Sequence, residues 1–293
     1  MRQRDHPDMK TAYRQIRSMG TTMDLVLPGK GDAPADLLVE EITSELDRIE
    51  QRLSVYRPDS DISVINRAAF RHPVPLDPEM HLIFTELVAY HRETRGFFDV
   101  TLKAVLDHYL EHGTEAGILP ERIAGSAGME HLVLEGDRIR FLKEGMQIDL
   151  GGYGKGYAMR NILKIISGRG VEKALVSFGG SLVYGLGSHP YGDCWKVSVP
   201  LPGTTEPLVF DLKNETLSTS GNSLNNQKKF GNSGHIVNPE TLHTRRGKGV
   251  VSVTAGDPVR AEVFSTALFS AGNQRAMEIA GQFPDLKVGC FFM

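Results

Sequence analysis

The chain has 293 residues, of which 40% are hydrophobic and 24% are charged, and its formal net charge at pH 7 is −3. These values are typical of a soluble globular protein with a large core, and they predict no basic surface for DNA, RNA or anionic lipid. We expect no membrane span and a cytoplasmic location, because the sequence has neither an apolar run of about 20 residues nor the apolar segment of a signal peptide.

Apolar periodicity predicts helices and strands in mixed order. Residues 35–53 are predicted to form an amphipathic helix, and a second helix is predicted over 78–94. The run 131–142 predicts a β-hairpin that turns at Gly136-Asp137. Further helices are predicted over 155–167 and 259–271, and strands over 174–183, 195–199, 208–212 and 249–254. Because helices and strands do not follow a βαβ rhythm, we predict one α+β domain rather than a doubly wound sheet.

Residues 149–158, with the sequence DLGGYGKGYA, form the most informative part of the chain. Asp149 leaves an apolar run, glycines crowd the next positions, and Lys155 stands at the start of a predicted helix. Glycines let a backbone approach a ligand closely, and free N–H groups at a helix start suit the phosphates of a nucleotide. The stretch matches neither a Walker A loop nor GxGxxG. It therefore predicts either a phosphate-binding turn or a turn that only packs tightly.

Further short blocks follow one another along the chain. They are MGT at 19–21, YRPDS at 56–60, FFDV at 97–100, SFGG at 177–180, TSG at 219–221, HIVNP at 235–239 and AEVFSTA at 261–267. Together with residues 149–158, this series resembles the FAD:protein FMN transferases, the ApbE flavin transferase family, over about residues 19 to 273. The resemblance implies an α+β fold with an antiparallel-rich sheet. It divides the chain into an N-terminal extension at 1–18 and a flavin transferase domain at 19–293.

The resemblance implies a binding site for FAD, which would be the substrate. The residues that match nucleotide contacts of the family are Met19, Tyr56, Phe97, Phe98, Asp99, Asp149, Lys155 and Val237. By residue type alone, Met19 and the aromatic side chains can equally belong to the core. Asp99 precedes an apolar segment and can equally be a cap or turn residue.

The resemblance also implies a Mg²⁺ site. The matching positions are an acidic residue and a threonine four apart, here Glu262 and Thr266, which would share one helix face. Ser265 in the same block and a backbone oxygen of Gly152 complete the predicted set. Mg²⁺ prefers hard oxygen ligands and usually keeps substrate phosphate and water in its shell. The family has an aspartate at the acidic position, so Glu262 brings a side chain that is one methylene longer.

His235 is the candidate general base, because its free pKa lies near neutrality and suits removal of a proton from a hydroxyl. The resemblance implies a Mg²⁺-dependent transferase. A Ser or Thr hydroxyl of a partner protein, a subunit of a redox complex, would accept FMN from FAD, and AMP would leave. Two alternatives stay open, namely hydrolysis of FAD to FMN and AMP, and FAD binding without catalysis.

Leu242 and Arg160 also depart from the family pattern. Leu242 stands where relatives usually have a glycine, and we expect it to alter the turn after His235. Arg160 stands where an acid often closes the first turn of the helix after the glycine-rich stretch.

Overall fold

The computed structural model describes residues 10–113, 119–222, 236–245 and 248–293. Its strands are β1 (Thr11–Ser18), β2 (Thr21–Pro28), β3 (Val74–Pro75), β4 (Leu132–Glu135), β5 (Arg138–Phe141), β6 (Ala174–Phe178), β7 (Leu182–Leu186), β8 (Trp195–Val199), β9 (Leu208–Leu212), β10 (Glu215–Gly221), β11 (Gly249–Ala255) and β12 (Lys287–Phe292). Its α-helices are α1 (Asp32–Leu53), α2 (Asp61–Ala68), α3 (Pro78–Glu93), α4 (Lys103–His112), α5 (Glu121–Ala124), α6 (Gly154–Gly168), α7 (Pro258–Ala271) and α8 (Asn273–Ala280). None of these helices has both the length and the apolar character that crossing a membrane requires.

The strands form three sheets within one domain. The largest has seven strands in the order β1-β2-β6-β7-β10-β11-β12, and the smaller ones are β3-β5-β4 and β8-β9. Every named strand pair in them is antiparallel. The predicted α+β class with an antiparallel-rich sheet is therefore confirmed.

Strand β1 comes from the stretch predicted to be an N-terminal extension. It pairs with β2 along its whole length, from Thr11 opposite Pro28 to Ser18 opposite Thr21. Ala12 is 1% exposed and belongs to the main core. The described residues of the predicted extension thus add an edge strand to the large sheet.

The prediction of a single strand over 174–183 is wrong. The chain forms β6 and β7 there, joined by a turn at Gly179 and Gly180, whose φ angles are +55° and +73°. Two successive residues in the left-handed region are readily accommodated only by glycine, so this pair reverses the chain. Apolar residues are consecutive on both sides of the glycines, at 174–176 and 182–184, and this nearly continuous apolar run was interpreted as one strand.

The two faces of the large sheet carry different partners. Side chains of successive strand residues point to opposite faces, and β10 shows the consequence. Leu217 packs with Trp195 and Leu212 of the β8-β9 hairpin. The next residue, Ser218, lies 2.8 Å (Oγ to Oγ) from Ser265 of α7 on the other face. Helix α7 also packs against α6 and β11, so it lies between the sheet and the helix that follows the glycine-rich stretch.

Candidate functional site

The glycine-rich stretch forms a turn, residues 149–154, that leads into α6. The Asp149 N–H donates to the Val100 carbonyl oxygen at 2.8 Å, and its carboxylate accepts the Gly151 N–H at 2.9 Å. Asn66 holds the preceding residue, because its amide accepts the Ile148 N–H at 2.8 Å and donates to the Ile148 carbonyl at 2.9 Å. Burial raises the pKa of Asp149 above its ordinary value. The carboxylate of Asp149 therefore shapes the turn.

Helix α6 crosses α7 in direct backbone contact at Gly156. A Cβ atom at this position would lie 2.7 Å from the Val259 Cα and 2.8 Å from the Pro258 carbonyl oxygen, so the crossing requires a glycine. The Gly156 N–H donates to Oε2 of Glu262 at 2.6 Å. Lys155 forms an ion pair with Oε1 of the same carboxylate. The predicted phosphate-binding lysine and the predicted metal-binding acid thus meet at this crossing.

Glu262 is a buried carboxylate whose two oxygens have different surroundings. Its side chain is 4% exposed, whereas that of Lys155 is 25% exposed. Oε1 lies within ion-pairing distance of the lysine, but among the described residues no donor reaches it with hydrogen-bond geometry. Lys155 also donates to the Gly151 carbonyl at 3.3 Å. Because a buried carboxylate needs compensation for its lost hydration, Oε1 is suited to a bound cation.

Hydroxyl groups from β10 and α7 form a chain next to this carboxylate. The Oγ atom of Ser265 lies 2.8 Å from that of Ser218 and 2.9 Å from that of Ser220, and it donates to the Glu262 carbonyl oxygen at 3.0 Å. Ser220 Oγ lies 3.4 Å from Thr266 Oγ1. Ser218 and Ser220 reach the same helix because residues two apart on a strand share a face.

Thr266 faces the turn from the other side. A Cβ atom on Gly152 would lie 3.2 Å from both Oγ1 and Cγ2 of Thr266 and 3.5 Å from the Phe98 ring. The structure therefore brings together the four residues predicted to bind metal, Gly152, Glu262, Ser265 and Thr266.

The ligand atoms of these four residues fit a hard cation such as Mg²⁺, because they are all oxygens. One of them, Oε1 of Glu262, accepts no hydrogen bond from the described part of the chain. Among all described residues, no group of three or more His, Cys, Asp or Glu side chains is placed to hold a metal ion. A cation at this position would thus take further ligands from hydroxyls, backbone oxygens, substrate phosphate or water.

Met19 lies at the start of α6, and Glu50 connects it with the segment that carries Tyr56. The Met19 N–H donates to Oε1 of Glu50 at 2.5 Å, and the other oxygen of Glu50 accepts from Arg57 at 2.8 Å. A Cβ atom on Gly154 would lie 3.4 Å from the Met19 methyl group. Tyr56 is 87% exposed, so its ring is open to a ligand, whereas Met19 is half-buried against the turn.

The Phe97 and Phe98 side chains are buried, each 4% exposed, and belong to the main core. The Asp99 carboxylate accepts both the N–H of Thr101 at 2.7 Å and its hydroxyl at 2.5 Å. Burial raises the pKa of Asp99. Asp99 therefore has the turn role that was one of its two possible roles in the sequence analysis. Its contact with a nucleotide stays a prediction.

Val237 lies in a short hairpin, residues 236–245. It is 5% exposed and packs against α4, and the Asn238 N–H donates to the His243 carbonyl at 2.8 Å. Leu242 has a φ of +57°, the left-handed conformation that glycine favours. The turn therefore forms with leucine, at a cost of about 1–2 kcal/mol. His235, the predicted general base, lies outside the described residues.

Arg160 holds α6 and α7 together close to the site. Its guanidinium donates to both oxygens of Asp257 at 2.8 and 2.7 Å, and to both oxygens of Glu86 at 2.9 and 3.0 Å. Asp257 caps α7 by accepting the Arg260 N–H at 3.2 Å, and the Tyr153 hydroxyl donates to Glu86 at 2.5 Å. The arginine thus links the start of the helix that carries Glu262 to the helix that carries Lys155.

Sequence analysis did not assign several residues that shape this site. They are Glu50, Asn66, Ser218 and Ser220. Ser220 stands in the TSG block, and its spacing of two from Ser218 would have indicated a shared face if a strand had been predicted there. Glu50 has the sequence signature of a solvated helix residue, so no local pattern indicated its contact with Met19.

Comparisons with known proteins identify the family to which this chain is similar. The model of the ApbE family matches residues 19–290. The FAD:protein FMN transferases of Klebsiella pneumoniae strain 342 and Escherichia coli K12 are 27% identical over 278 residues and 26% identical over 285 residues. Each match covers 90% of this chain and 79% of the relative.

Two solved structures have the same fold. The flavin transferase ApbE from Vibrio cholerae has a TM-score of 0.81 and 20% identity, and the alignment covers 97% of both chains. The ApbE protein from Thermotoga maritima also has a TM-score of 0.81, with 24% identity over 97% of this chain and 94% of the other. The resemblance predicted from the motifs is therefore confirmed.

Proposed function

The chain belongs to the ApbE family, and we propose that it transfers FMN from FAD to a Ser or Thr hydroxyl of an acceptor protein, with Mg²⁺ bound and AMP released. The observation that carries this proposal is the meeting of Lys155 with the buried Glu262 carboxylate at the start of α6. A cation suited to a diphosphate and an oxygen set suited to Mg²⁺ lie side by side there. Relatives that are named FAD:protein FMN transferase support this class of reaction.

FAD would place its diphosphate at the beginning of α6. The helix starts without a side-chain cap at Tyr153, but the Gly154 N–H donates to the Leu150 carbonyl at 2.8 Å and the Gly156 N–H donates to Glu262. Among the described contacts of the first turn, the Lys155 N–H is the backbone donor left for a phosphate oxygen. Lys155 would contribute the positive charge. Met19 at the turn and the exposed Tyr56 would contact the flavin nucleotide, together with the predicted residues Phe97, Phe98, Asp99, Asp149 and Val237.

The metal would be held by Glu262, Thr266, Ser265 and a backbone oxygen of Gly152. The hydroxyl chain from Ser218 through Ser265 to Ser220 keeps these groups in fixed orientations, because each hydroxyl has a neighbour at hydrogen-bond distance. When bound, Mg²⁺ neutralises negative charge on the phosphates and on the leaving group.

In the proposed reaction the acceptor hydroxyl attacks the phosphorus on the FMN side of the diphosphate. A new P–O bond to the acceptor forms, and the bond between this phosphorus and the bridging oxygen breaks. AMP leaves with the bridging oxygen, and the hydroxyl proton passes to His235. The Lys155 ammonium stabilises the charge that develops on the phosphate oxygens.

The experiment that tests this function measures AMP after the purified protein is incubated with FAD and Mg²⁺, with and without an acceptor domain. AMP formed only with the acceptor supports transfer. AMP formed without it identifies an FAD pyrophosphatase, and bound FAD without AMP identifies a binding protein. Glu262→Gln serves as the negative control, because the amide keeps the shape but loses the charge that a hard dication needs.

A further inference from the structure

We propose that Lys155 is shared between two competing partners, the Glu262 carboxylate and the diphosphate of FAD, so that Glu262 restrains FAD binding until a cation takes over the carboxylate. This inference rests on the proposed function, since it assumes that FAD binds at the start of α6. It goes beyond that function because it assigns Glu262 a second task, the control of the phosphate-binding lysine.

The first step of the argument is the environment of the carboxylate. Glu262 is 4% exposed, and its Oε2 accepts the Gly156 N–H at 2.6 Å. Its Oε1 has the Lys155 ammonium beside it and, in the described part of the chain, no hydrogen-bond donor. A buried charge without a partner is strongly unfavourable. The ammonium group of Lys155 therefore supplies the compensation that this buried carboxylate requires.

The second step is the position of the lysine. Lys155 is the second residue of α6, and its side chain is 25% exposed. Its other acceptor, the Gly151 carbonyl, lies at 3.3 Å, which is long for an ammonium donor. The lysine is thus held mainly by Glu262, and its flexible stem lets the ammonium turn towards a ligand at the helix start.

The third step is electrostatic. A diphosphate that contacts Lys155 also comes close to the Glu262 carboxylate, and like charges repel. FAD must therefore compete with Glu262 for the ammonium. A cation bound at Oε1 removes both the repulsion of the diphosphate and the competition for Lys155. It neutralises the carboxylate, and it repels the lysine towards the phosphates. Cation binding and FAD binding should then strengthen each other by the same factor.

The inference predicts that a variant of Glu262 binds FAD more tightly when metal is absent. In Glu262→Gln the amide oxygen can still accept the Gly156 N–H, while the neutral amide no longer holds Lys155. Direct repulsion between Glu262 and the diphosphate would also produce a gain. The gain in FAD affinity thus has two candidate causes, the release of Lys155 and the loss of direct repulsion. Only the release of Lys155 requires the lysine.

A double-mutant cycle separates them. FAD affinity is measured by calorimetry in EDTA for the parent, Glu262→Gln, Lys155→Met and the double variant. Lys164→Met is the matched control, because Lys164 is an exposed lysine of the same helix whose ammonium donates only to Asn161 among the described contacts. Circular dichroism checks that each variant is folded. If Glu262→Gln is too unstable to titrate, Glu262→Asp, which draws the charge back by one methylene, should show a smaller gain.

We expect Glu262→Gln to bind FAD on the order of tenfold more tightly than the parent, within the range of couplings between residues in contact. In the Lys155→Met background the same substitution should give a distinctly smaller gain, the part that direct repulsion alone supplies. An equal gain in both backgrounds would assign the effect to direct repulsion, and no gain in Glu262→Gln would show that the lysine is not restrained; either result overturns the inference. If the parent does not bind FAD even with Mg²⁺, the proposed function fails and the inference fails with it.

Discussion

Gly156→Ala perturbs the crossing on which the candidate site depends. The added Cβ would lie 2.7 Å from the Val259 Cα, whereas ordinary contacts begin at 3.4 Å, so the helices must separate by about 0.7 Å. Both neighbouring atoms belong to the backbone, and neither can move aside as a side chain does. Overpacking of this kind costs about 1–3 kcal/mol. The separation would also lengthen the hydrogen bond from residue 156 to Glu262, now 2.6 Å.

The assay is urea denaturation of Gly156→Ala beside Gly168→Ala, a matched control in the same helix. A Cβ on Gly168 would meet nothing within 4 Å, so this control should be neutral or more stable by up to about 1 kcal/mol. We expect Gly156→Ala to lose about 1–3 kcal/mol of unfolding free energy and to bind Mg²⁺ and FAD more weakly. Equal stability of the two variants, with unchanged ligand binding, would refute the direct contact between α6 and α7.

Three further predictions concern the surroundings of the site. Arg160→Met should lower the unfolding free energy by about 1–3 kcal/mol in denaturation experiments. The reason is that Asp257, whose side chain is only 35% exposed, loses its bidentate hydrogen bonds with the guanidinium. Burial opposes ionisation of Glu79, but hydrogen bonds from Arg48 and Tyr157 outweigh it and lower the pKa of Glu79 from 4.5 to about 2. Glu79 should therefore stabilise the fold above about pH 4.5, and the stability difference between the parent and Glu79→Gln should disappear as the pH falls through about 2. His235→Ala should lower FMN transfer by roughly 10²–10⁴-fold and abolish a rise in rate through an apparent pKa near 6.5; a pH profile like that of the parent would contradict the base role.

Local patterns in the sequence predicted the helices α1, α3, α6 and α7 and the strands β4, β5, β8, β9 and β11, but they did not predict the other described helices or the strands β1, β2, β3, β10 and β12. Helix α1 could be predicted because its buried residues repeat at three- and four-residue steps on one face. The turn at Gly179-Gly180 was missed because apolar runs lie directly on both sides of it. Glycine pairs inside a strand pattern therefore carry more information than the apolar residues around them.

The candidate site could be predicted only in part, because its main contacts join residues that are far apart in the sequence. The Gly156 N–H and the Glu262 carboxylate are 106 positions apart, and no local pattern indicates their hydrogen bond. The same holds for the ion pair of Lys155 with Glu262, which the sequence analysis placed in two separate sites. Asp99 shows the opposite case, since its contact with Thr101 spans only two residues. The sequence analysis had given a cap or turn residue as the alternative role of Asp99.

We propose above all that this chain moves FMN from FAD to a hydroxyl of an acceptor protein. The most direct measurement is the intact mass of an acceptor domain after incubation with FAD, Mg²⁺ and the purified protein, with AMP quantified in the same sample. We predict covalent addition of one FMN per acceptor, release of AMP in equal amount, and loss of both in Glu262→Gln and in an acceptor whose Ser or Thr is replaced by alanine. An unmodified acceptor in the presence of bound FAD, or AMP formed without modification of the acceptor, would contradict the account.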